Sequence, residues 1–296
     1  MPENTLPIVV GIDGSDGSLR AVQWAAAVAT RRGSPLHLLH STSTAGHFIS
    51  DAAIIAIKAA AAADHHAAAE KFLTIARDTV AERFPDLTVD VEVVSEPADQ
   101  ALIRLSRTAG LIVVGCDDVN RAVALLLGST SLAVSTHAQC PAVVWRDVPQ
   151  PSKAPVVVGV DGTAAGTAAL ASAFDFADLF GAPVRAVHSW STGLGGDQVT
   201  FPYLIDWAAI ETAEWALLRA AVKPWQQRYP RVRVEYFVEV GKPSSVLLDR
   251  CTDAQLVVVG DHRTNVVSAT LLGSTSLNLL HHSFVPVVVC RPEKGS

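Results

Sequence analysis

The sequence lacks the charge runs and long apolar runs that mark several large classes of protein. Among its 296 residues, 23 Lys and Arg are outnumbered by 29 Asp and Glu, and the basic residues form no run longer than a pair. A net charge of −6 argues against a sequence-independent grip on nucleic acid or anionic lipid. The most apolar stretch, 52–63, is interrupted by Lys58 and is too short to span a bilayer. We therefore expect neither nucleic acid nor a membrane as a partner.

Signatures of common catalytic, metal and secretory segments are also missing. The chain has no Gly-x4-Gly-Lys phosphate loop, no HExxH and no nucleophile elbow, and its four cysteines lack metal-finger spacing. The adjacent histidines at 65–66 and 281–282 would point about 100° apart on a helix, which is unsuited to sharing a metal. The N-terminal MPENTLP has no basic segment before an apolar one. We expect a cytoplasmic protein that is not an enzyme and holds no metal ion.

Length and composition predict two globular domains. Domains average roughly 100–200 residues, so 296 residues suit two. With 49% hydrophobic and 18% charged residues, the chain has enough apolar side chains to build a core, which disordered chains lack.

The chain contains an internal repeat. VVGIDGSDGS at 9–18 returns as VVGVDGTAAG at 157–166, and GSPLHLLHS at 33–41 returns as GAPVRAVHS, both 148 residues later. LIVVG, LLLGSTSLAV and CPAVVWR also return in order, 145 residues later, as LVVVG, TLLGSTSLNL and VPVVVCR. Three prolines between 147 and 155 suit a stiff linker. We predict domains at 1–148 and 156–296, joined by a linker at 149–155.

Each copy alternates short apolar runs with helical patterns. This alternation predicts an α/β fold with an open, doubly wound parallel sheet, whose ligands bind beyond the carboxyl ends of the strands. The clearest helical patterns cover 18–31 and 64–84. The predicted strands are 8–12, 36–40, 89–94, 111–114 and 142–145, followed by 156–160, 184–188, 232–238, 256–259 and 287–289.

The first motif at a predicted strand end is Gly-x-Asp-Gly, after strand one. It places Gly11 and Asp13 in one copy and Gly159 and Asp161 in the other. Small residues let a ligand approach the backbone, and a carboxylate accepts bonds from a base amino group or a ribose hydroxyl. The alternative is that the aspartates cap the next helix or turn.

The second motif, after strand four, is a Gly-Ser-Thr-Ser helix start. Backbone N–H groups at such a start point outward with a favourable dipole and suit phosphate. The residues concerned are Gly128, Ser129 and Thr130 and, in the second copy, Gly273, Ser274 and Thr275. The alternative is that Ser and Thr serve only as helix N-caps. A cap explains each motif alone but does not explain why both occur together in both copies.

Taken together, these motifs resemble those of the universal stress proteins. The shared features are strand–Gly-x-Asp-Gly, a strand ending in His after Gly-x-Pro, a VVVG strand, the Gly-Ser helix start and a last strand after a Pro. The resemblance covers essentially both halves and implies a five-stranded parallel sheet of order 3-2-1-4-5 in each. It also implies a cytosolic bacterial protein linked to stress, dormancy and growth control.

One branch of that family binds ATP, and the resemblance implies which residues would hold it. The branch carries Gly-x2-Gly-x9-Gly-Ser/Thr after strand four, and its aspartate after strand one and backbone after strand two hold the adenine end. Ser41 and Ser189 stand where that backbone would meet adenine. The other matching residues are Asp13, Gly115, Gly128 and Ser129 in the first half and Asp161, Gly260, Gly273 and Ser274 in the second.

Both halves depart from this pattern at its middle glycine. Asp118 replaces it in the first half, where a carboxylate about 5 Å from a phosphate would weaken binding by roughly 3 kcal/mol unless Mg²⁺ or Arg121 offsets the charge. Arg263 replaces it in the second half and has a fork that suits phosphate. The alternative is that both arginines are ordinary surface residues.

Three hypotheses of function follow. The first is a regulatory protein that binds an adenine nucleotide, ATP with accompanying Mg²⁺, in at least the second domain and signals through its conformation or partner surface. The second is an interaction module that has lost nucleotide binding. The third is slow ATP hydrolysis, for which no positioned base is visible. The resemblance also implies self-association, as a dimer, through the last strands at 142–145 and 287–289. The alternative is that the two domains of one chain pair with each other as a pseudodimer.

Overall fold

The computed structural model describes residues 6–43, 69–116, 127–146, 151–191, 206–261 and 272–292. The chain divides into two compact units, Met1–Gln150 and Pro151–Ser296. This division falls inside the predicted linker, whose limits stay a prediction. None of the helices in these ranges combines the length and the apolar character that crossing a membrane requires.

The first unit is a parallel sheet flanked by helices. Its strands are ordered β3-β2-β1-β4-β5, which confirms the predicted 3-2-1-4-5 order. The elements are β1 (Ile8–Ile12), α1 (Asp16–Arg32), β2 (Leu36–Ser41), α2 (described over 69–83), β3 (Val89–Val94), α3 (Ala98–Leu105), β4 (Leu111–Gly115), α4 (Ser129–His137) and β5 (Ala142–Trp145).

The second unit repeats this plan. Its strands are ordered β8-β7-β6-β9-β10 and again run parallel. The elements are β6 (Val156–Gly159), α5 (Ala164–Phe180), β7 (Val184–Trp190), α6 (Trp207–Arg228), β8 (Val234–Val240), α7 (Pro243–Arg250), β9 (Leu256–Gly260), α8 (Ser274–His282) and β10 (Val287–Cys290).

The central strands and the long first helix of each unit follow from local sequence. The short Val- and Ile-rich runs of β1, β4, β6 and β9 are buried almost throughout, as strands covered on both faces by helices must be. Helices α1 and α5 each have 17 residues and begin at a Ser or Thr N-cap, Ser15 or Thr163. They end at Gly33 and Gly181, whose φ angles of 67° and 63° favour glycine.

Several strand ends differ from the sequence prediction by one or two residues, and two helices were not predicted. Strand β8 was expected at 232–238 but runs from Val234 to Val240, because the Val232 N–H donates to the Tyr229 carbonyl in the turn after α6. The strand then follows the long β7 up to the pair Trp190 and Val240. Helices α3 and α7, which no sequence pattern had singled out, cross over between β3 and β4 and between β8 and β9. They prove to line the candidate sites.

Candidate functional site

A cleft lies at the carboxyl ends of β1 and β4, where the strand order of the first unit reverses. We call it the first cleft; its volume is about 330 Å³. Parallel sheets bind ligands at such a reversal because the loops after neighbouring strands diverge there. It brings together six residues predicted from the sequence, namely Gly11, Asp13, Gly115, Gly128, Ser129 and Thr130.

The second unit has a matching cleft at the carboxyl ends of β6 and β9. This second cleft is smaller, about 240 Å³. Its lining includes seven residues predicted from the sequence, namely Gly159, Asp161, Ser189, Gly260, Gly273, Ser274 and Thr275. Two motifs about 100 residues apart in the chain therefore meet in each unit.

Other predicted residues stand elsewhere. Ser41 is not part of the first cleft's lining, and its hydroxyl donates to the Glu96 carbonyl at 2.7 Å. Its counterpart Ser189 makes the same kind of bond, to the Gly241 carbonyl at 2.7 Å, but does line the second cleft. The remaining candidates, Asp118, Arg121 and Arg263, lie outside the described residues.

The aspartate after the first strand of each unit accepts two bonds from the residue two positions ahead. Asp13 Oδ1 accepts from the Ser15 backbone N–H at 3.0 Å and from its hydroxyl at 2.6 Å. Asp161 Oδ1 accepts in the same way from Thr163, at 2.9 and 2.7 Å. Ser15 and Thr163 are themselves the caps of α1 and α5. The aspartates thus cap the turn before each helix, as the alternative expects, and orient the residues that cap the helices.

Burial and hydrogen bonding act in opposite directions on the Asp13 carboxyl. Burial raises its pKa, but the bonds from the side chain and backbone of Ser15, aided by the Ser18 hydroxyl, outweigh burial and leave the pKa below its usual range. Asp13 is therefore ionised at neutral pH and able to accept a bond from a ligand's N–H or O–H.

The helix starts of α4 and α8 lack side-chain caps. Gly128 and Gly273 are the N-caps, and neither helix has a side-chain bond to its first turn. Ser129 and Ser274 are the first helical residues, so the alternative that Ser or Thr caps these helices is wrong. The first-turn residues, 129–131 in α4 and 274–276 in α8, line the clefts.

Neither backbone strain nor packing explains glycine at these two N-caps. Their φ angles are −61° and −58°, which any residue adopts. The nearest atom to a Cβ at Gly128 would be Ser131 Oγ at 3.9 Å, and at Gly273 it would be Asp261 Oδ1 at 3.8 Å. A Cβ at either glycine would make only ordinary van der Waals contacts with the described part of the chain.

The glycines that end the central strands have a packing role. A Cβ at Gly11 would lie 3.0 Å from Leu102 Cδ1, so glycine there admits a neighbouring side chain. Its predicted role in binding a ligand stays a prediction. A Cβ at Gly115 would lie 2.9 Å from the backbone of Gly17 and Ser18, where α1 begins. These glycines set how closely helices approach the sheet.

Apolar side chains from α3 and α7 form one wall of each cleft. Ala98 and Leu102 line the first cleft, and Pro243 and Leu247 occupy the matching positions in the second. Sequence analysis missed them because it had not identified these helices. An apolar wall facing polar groups is the usual composition of a small-molecule site, and it suits the face of a planar ring.

The residue after the β4 or β9 glycine differs most between the clefts. In the second unit, the fully buried side chain of Asp261 pairs with Arg291, and its Oδ1 accepts from the Gly273 N–H at 3.2 Å. In the first unit the matching residue is Cys116, whose Sγ lies 4.0 Å from Arg146 Nη1. Sequence analysis missed this pair because only the fold brings β9, β10 and α8 together.

The four cysteines all lie in the described part of the chain and form no disulfide. Cys116, Cys251 and Cys290 are buried and Cys140 is half-buried. Burial raises the pKa of Cys251 and of Cys290 to about 12, so neither is a nucleophile at neutral pH. Among the described residues, no group of three or more His, Cys, Asp and Glu side chains is placed to hold a metal ion.

Comparisons with known proteins agree with the fold and the repeat. The model of the universal stress protein family matches residues 5–146 and 154–291. A universal stress protein of Mycobacterium tuberculosis is 34% identical over 294 residues, covering 97% of each chain. One of Mycobacterium bovis is 33% identical over 308 residues, covering 98% of each.

A solved universal stress protein structure, from Archaeoglobus fulgidus, shares the fold. It has a TM-score of 0.73 over 98% of this chain and 97% of that chain, at 19% identity. The family model matches once in each unit, and the relatives align over nearly the whole length. The chain belongs to the universal stress protein family and contains two consecutive copies of its domain.

Proposed function

We propose that this chain is a regulatory protein that binds an adenine nucleotide, ATP with Mg²⁺, in the first and second clefts. The observation that carries the proposal is the pair of glycine N-caps that line the clefts at the starts of α4 and α8, where neither backbone strain nor close packing requires glycine. A ligand that approaches the backbone closely accounts for glycine at both positions.

The helix starts are the phosphate end of the proposed site. The N–H groups of the first turn of an α-helix have no partner within the helix, and the helix dipole favours an anion there. Among the described residues, the Gly128 N–H meets no acceptor. A phosphate beside Gly128 and Ser129 would supply acceptors to these groups.

The aspartate and the apolar wall are the nucleoside end. In each unit, the two bonds that orient the aspartate end on Oδ1. Oδ2 of Asp13 or Asp161 is then the oxygen that a ribose hydroxyl or a base amino group would meet. Leu102 and Leu247 would lie against the base.

The proposed role is binding without turnover. Ligand bound between β4 and α4 would contact both ends of the segment that joins them and so change the surface offered to partner proteins. We expect the chain to act in the cytoplasm. Phosphate release from ATP that exceeds that of an Asp161→Ala control would argue for a hydrolase instead.

Calorimetric titration with ATP and Mg²⁺ tests the proposal through two charge substitutions. Ser129 and Ser274 are exposed first-turn residues, so Ser129→Asp and Ser274→Asp suit the helix dipole and should fold. A carboxylate about 5 Å from a phosphate weakens binding by roughly 3 kcal/mol, or about a hundredfold. We expect each variant to lose one of two binding events and the double variant to lose both.

The matched controls are Ser129→Asn and Ser274→Asn, which change the size of the side chain without adding charge. They should bind ATP within a few-fold of the wild type. Wild-type protein that binds no ATP would overturn the proposal and favour the interaction module. Equal losses in the Asp and Asn variants would show that charge at the helix start is irrelevant.

We also propose that the chain self-associates, as its resemblance to the universal stress proteins implies. Light scattering on the purified protein should give twice the mass of one chain, which is 31.2 kDa. A mass equal to one chain would reject this part of the proposal.

A further inference from the structure

The residue that follows the β4 or β9 glycine carries a charge in one unit only. Asp261 and Cys116 are matched by the repeat, as are the arginines that face them, Arg291 and Arg146. In its usual ionisation state a cysteine differs from an aspartate by one negative charge at neutral pH. At this one position the two units therefore differ by one negative charge.

The Asp261 carboxylate holds the position that an anion would take at the start of α8. Its side chain is fully buried, and Oδ1 accepts from the Gly273 N–H at 3.2 Å. Oδ2 accepts from Arg291 Nε at 3.2 Å and from Nη2 at 3.1 Å. The carboxylate thus joins the end of β9 to the end of β10 and to the helix start.

In the first unit the residue at this position is a cysteine. Cys116 lines the first cleft, and its Sγ lies 4.0 Å from Arg146 Nη1. The Gly128 N–H, which matches the N–H bonded to Asp261, meets no acceptor among the residues that the structure describes. The second cleft, which contains the carboxylate, is also the smaller of the two, at about 240 Å³ against about 330 Å³.

We propose that Asp261 makes the second cleft select adenine ligands that carry fewer phosphate charges than those taken by the first cleft. The inference rests on the proposed function, because it names the ligand class of the same two sites. A buried carboxylate at the helix start uses one N–H that a phosphate would need and repels the phosphate charge. Arg291 offsets part of that repulsion and holds the carboxylate in place.

The test compares a charged ligand with a neutral one in the same cleft. Ala98 and Pro243 are matched wall residues, so Ala98→Trp closes the first cleft and Pro243→Trp closes the second. Calorimetry on the Ala98→Trp protein, with and without Asp261→Cys, gives the dissociation constants of ATP with Mg²⁺ and of adenosine. We expect Asp261→Cys to lower the dissociation constant of ATP about tenfold and to change that of adenosine by less than about twofold.

The reciprocal variant keeps the test decisive if Asp261→Cys unfolds. In the Pro243→Trp protein, Cys116→Asp should raise the dissociation constant of ATP about tenfold and leave that of adenosine within about twofold of its original value. The arginine that would face the new carboxylate, Arg146, is already present. Circular dichroism and thermal unfolding identify the variants that have folded.

The possible results separate this inference from the proposed function. If ATP binds but the ratio of ATP to adenosine affinity stays unchanged in the folded variants, Asp261 does not select ligand charge and the inference is overturned alone. The same holds if both ligands change equally, since a purely structural role has that effect. If neither cleft of the wild type binds ATP, both proposals are overturned.

Discussion

His40 and His188 occupy matched strand ends beside the two clefts, and they show what the two units share and where they differ. Nδ1 of each ring lies 2.7 Å from a backbone carbonyl, that of Ile12 or Val160. Nε2 of His188 also lies 2.7 Å from a Glu214 carboxylate oxygen. The residue that matches Glu214 in the first unit is a buried alanine, at position 69.

Contacts to the backbone are therefore repeated in the two units, whereas contacts between side chains are not. The histidine–carbonyl bond, the Asp13 and Asp161 turns and the glycine N-caps depend on backbone geometry and recur. The pairs of His188 with Glu214 and of Asp261 with Arg291 depend on side chains that the first unit lacks. The two copies of the fold share the backbone geometry of the site, whereas the charged side chains around it differ.

The largest expected effect concerns the glycines that end β4 and β9. A Cβ at Gly260 would lie 2.4 Å from the Ala165 carbonyl carbon, closer than the 2.9 Å found at Gly115. We expect Gly260→Ala to lower the free energy of unfolding by about 3 kcal/mol and Gly115→Ala by about 1–2 kcal/mol. Urea unfolding measures the loss, and hydrogen exchange assigns it to one unit.

Gly181→Ala is the control for this prediction. A Cβ there meets nothing within 4 Å, so only its φ of 63° opposes the substitution, at about 1 kcal/mol. If Gly260→Ala costs no more than this control, the closer approach of helix and sheet in the second unit is not real.

The next largest effect concerns the carboxylate that only the second unit supplies to its histidine. His188 is buried, and both ring nitrogens face oxygen acceptors, so Glu214→Ala leaves a buried Nε2 without its acceptor. We expect this variant to lower the free energy of unfolding by about 1–3 kcal/mol, measured by urea unfolding. Glu211→Ala, an exposed position one turn earlier on α6, should change it by less than about 0.5 kcal/mol.

A double-mutant cycle sharpens that result. If His188 and Glu214 interact as the geometry indicates, the loss in the double alanine variant should fall short of the sum of the single losses. Strict additivity would contradict the pairing. In the first unit an alanine stands at the position that matches Glu214. His40→Ala should therefore lower the free energy of unfolding less than His188→Ala does.

The smallest effect concerns the ionisation of Asp13. Its pKa is lowered in the folded protein, so its contribution to stability is present above the unfolded pKa and is lost as pH falls through the folded pKa. Ser15→Ala removes one bond that favours the carboxylate, and the Asp13 pKa should rise toward its usual range. Carboxyl-carbon NMR titration measures this change directly.

Ser15→Thr is the matched variant for the titration because it keeps a hydroxyl at that position. Its Asp13 pKa should stay close to that of the wild type. An Asp13 pKa that does not respond to Ser15→Ala would contradict the assignment of the lowered value to hydrogen bonds. Loss of the α1 cap in Ser15→Ala changes stability as well, which is why the pKa itself is the measurement.

The fold could be predicted almost completely from the sequence. Short apolar runs followed by Gly or a polar residue and separated by helical patterns specify parallel strands, and the repeat doubles each signal. Strand ends shifted by one or two residues, as in β8, because pairing with β7 decides where a strand stops. Helices α3 and α7 have only 8 residues each and gave too short a pattern to stand out.

The candidate site could be predicted in part. The placement of Gly128 near Asp13 follows from parallel strand order alone, because the carboxyl ends of neighbouring strands meet at one edge. The roles of single residues did not follow as well. Gly11 proved to admit Leu102, Asp13 to orient a cap, and Ser129 to be the first helical residue and not the cap.

The sequence by itself determined the repeated alternation of strands and helices and the strand ends at which a ligand would bind, since these depend on hydrophobic periodicity and local turn chemistry that lie within short segments. The strand order came from the resemblance to the universal stress proteins. Only the tertiary structure decided which charges lie beneath each helix start. Asp261 and Arg291 are 30 residues apart and come into contact because β9 and β10 are neighbours. The energy of such a pair depends on burial and distance, and a linear pattern contains neither.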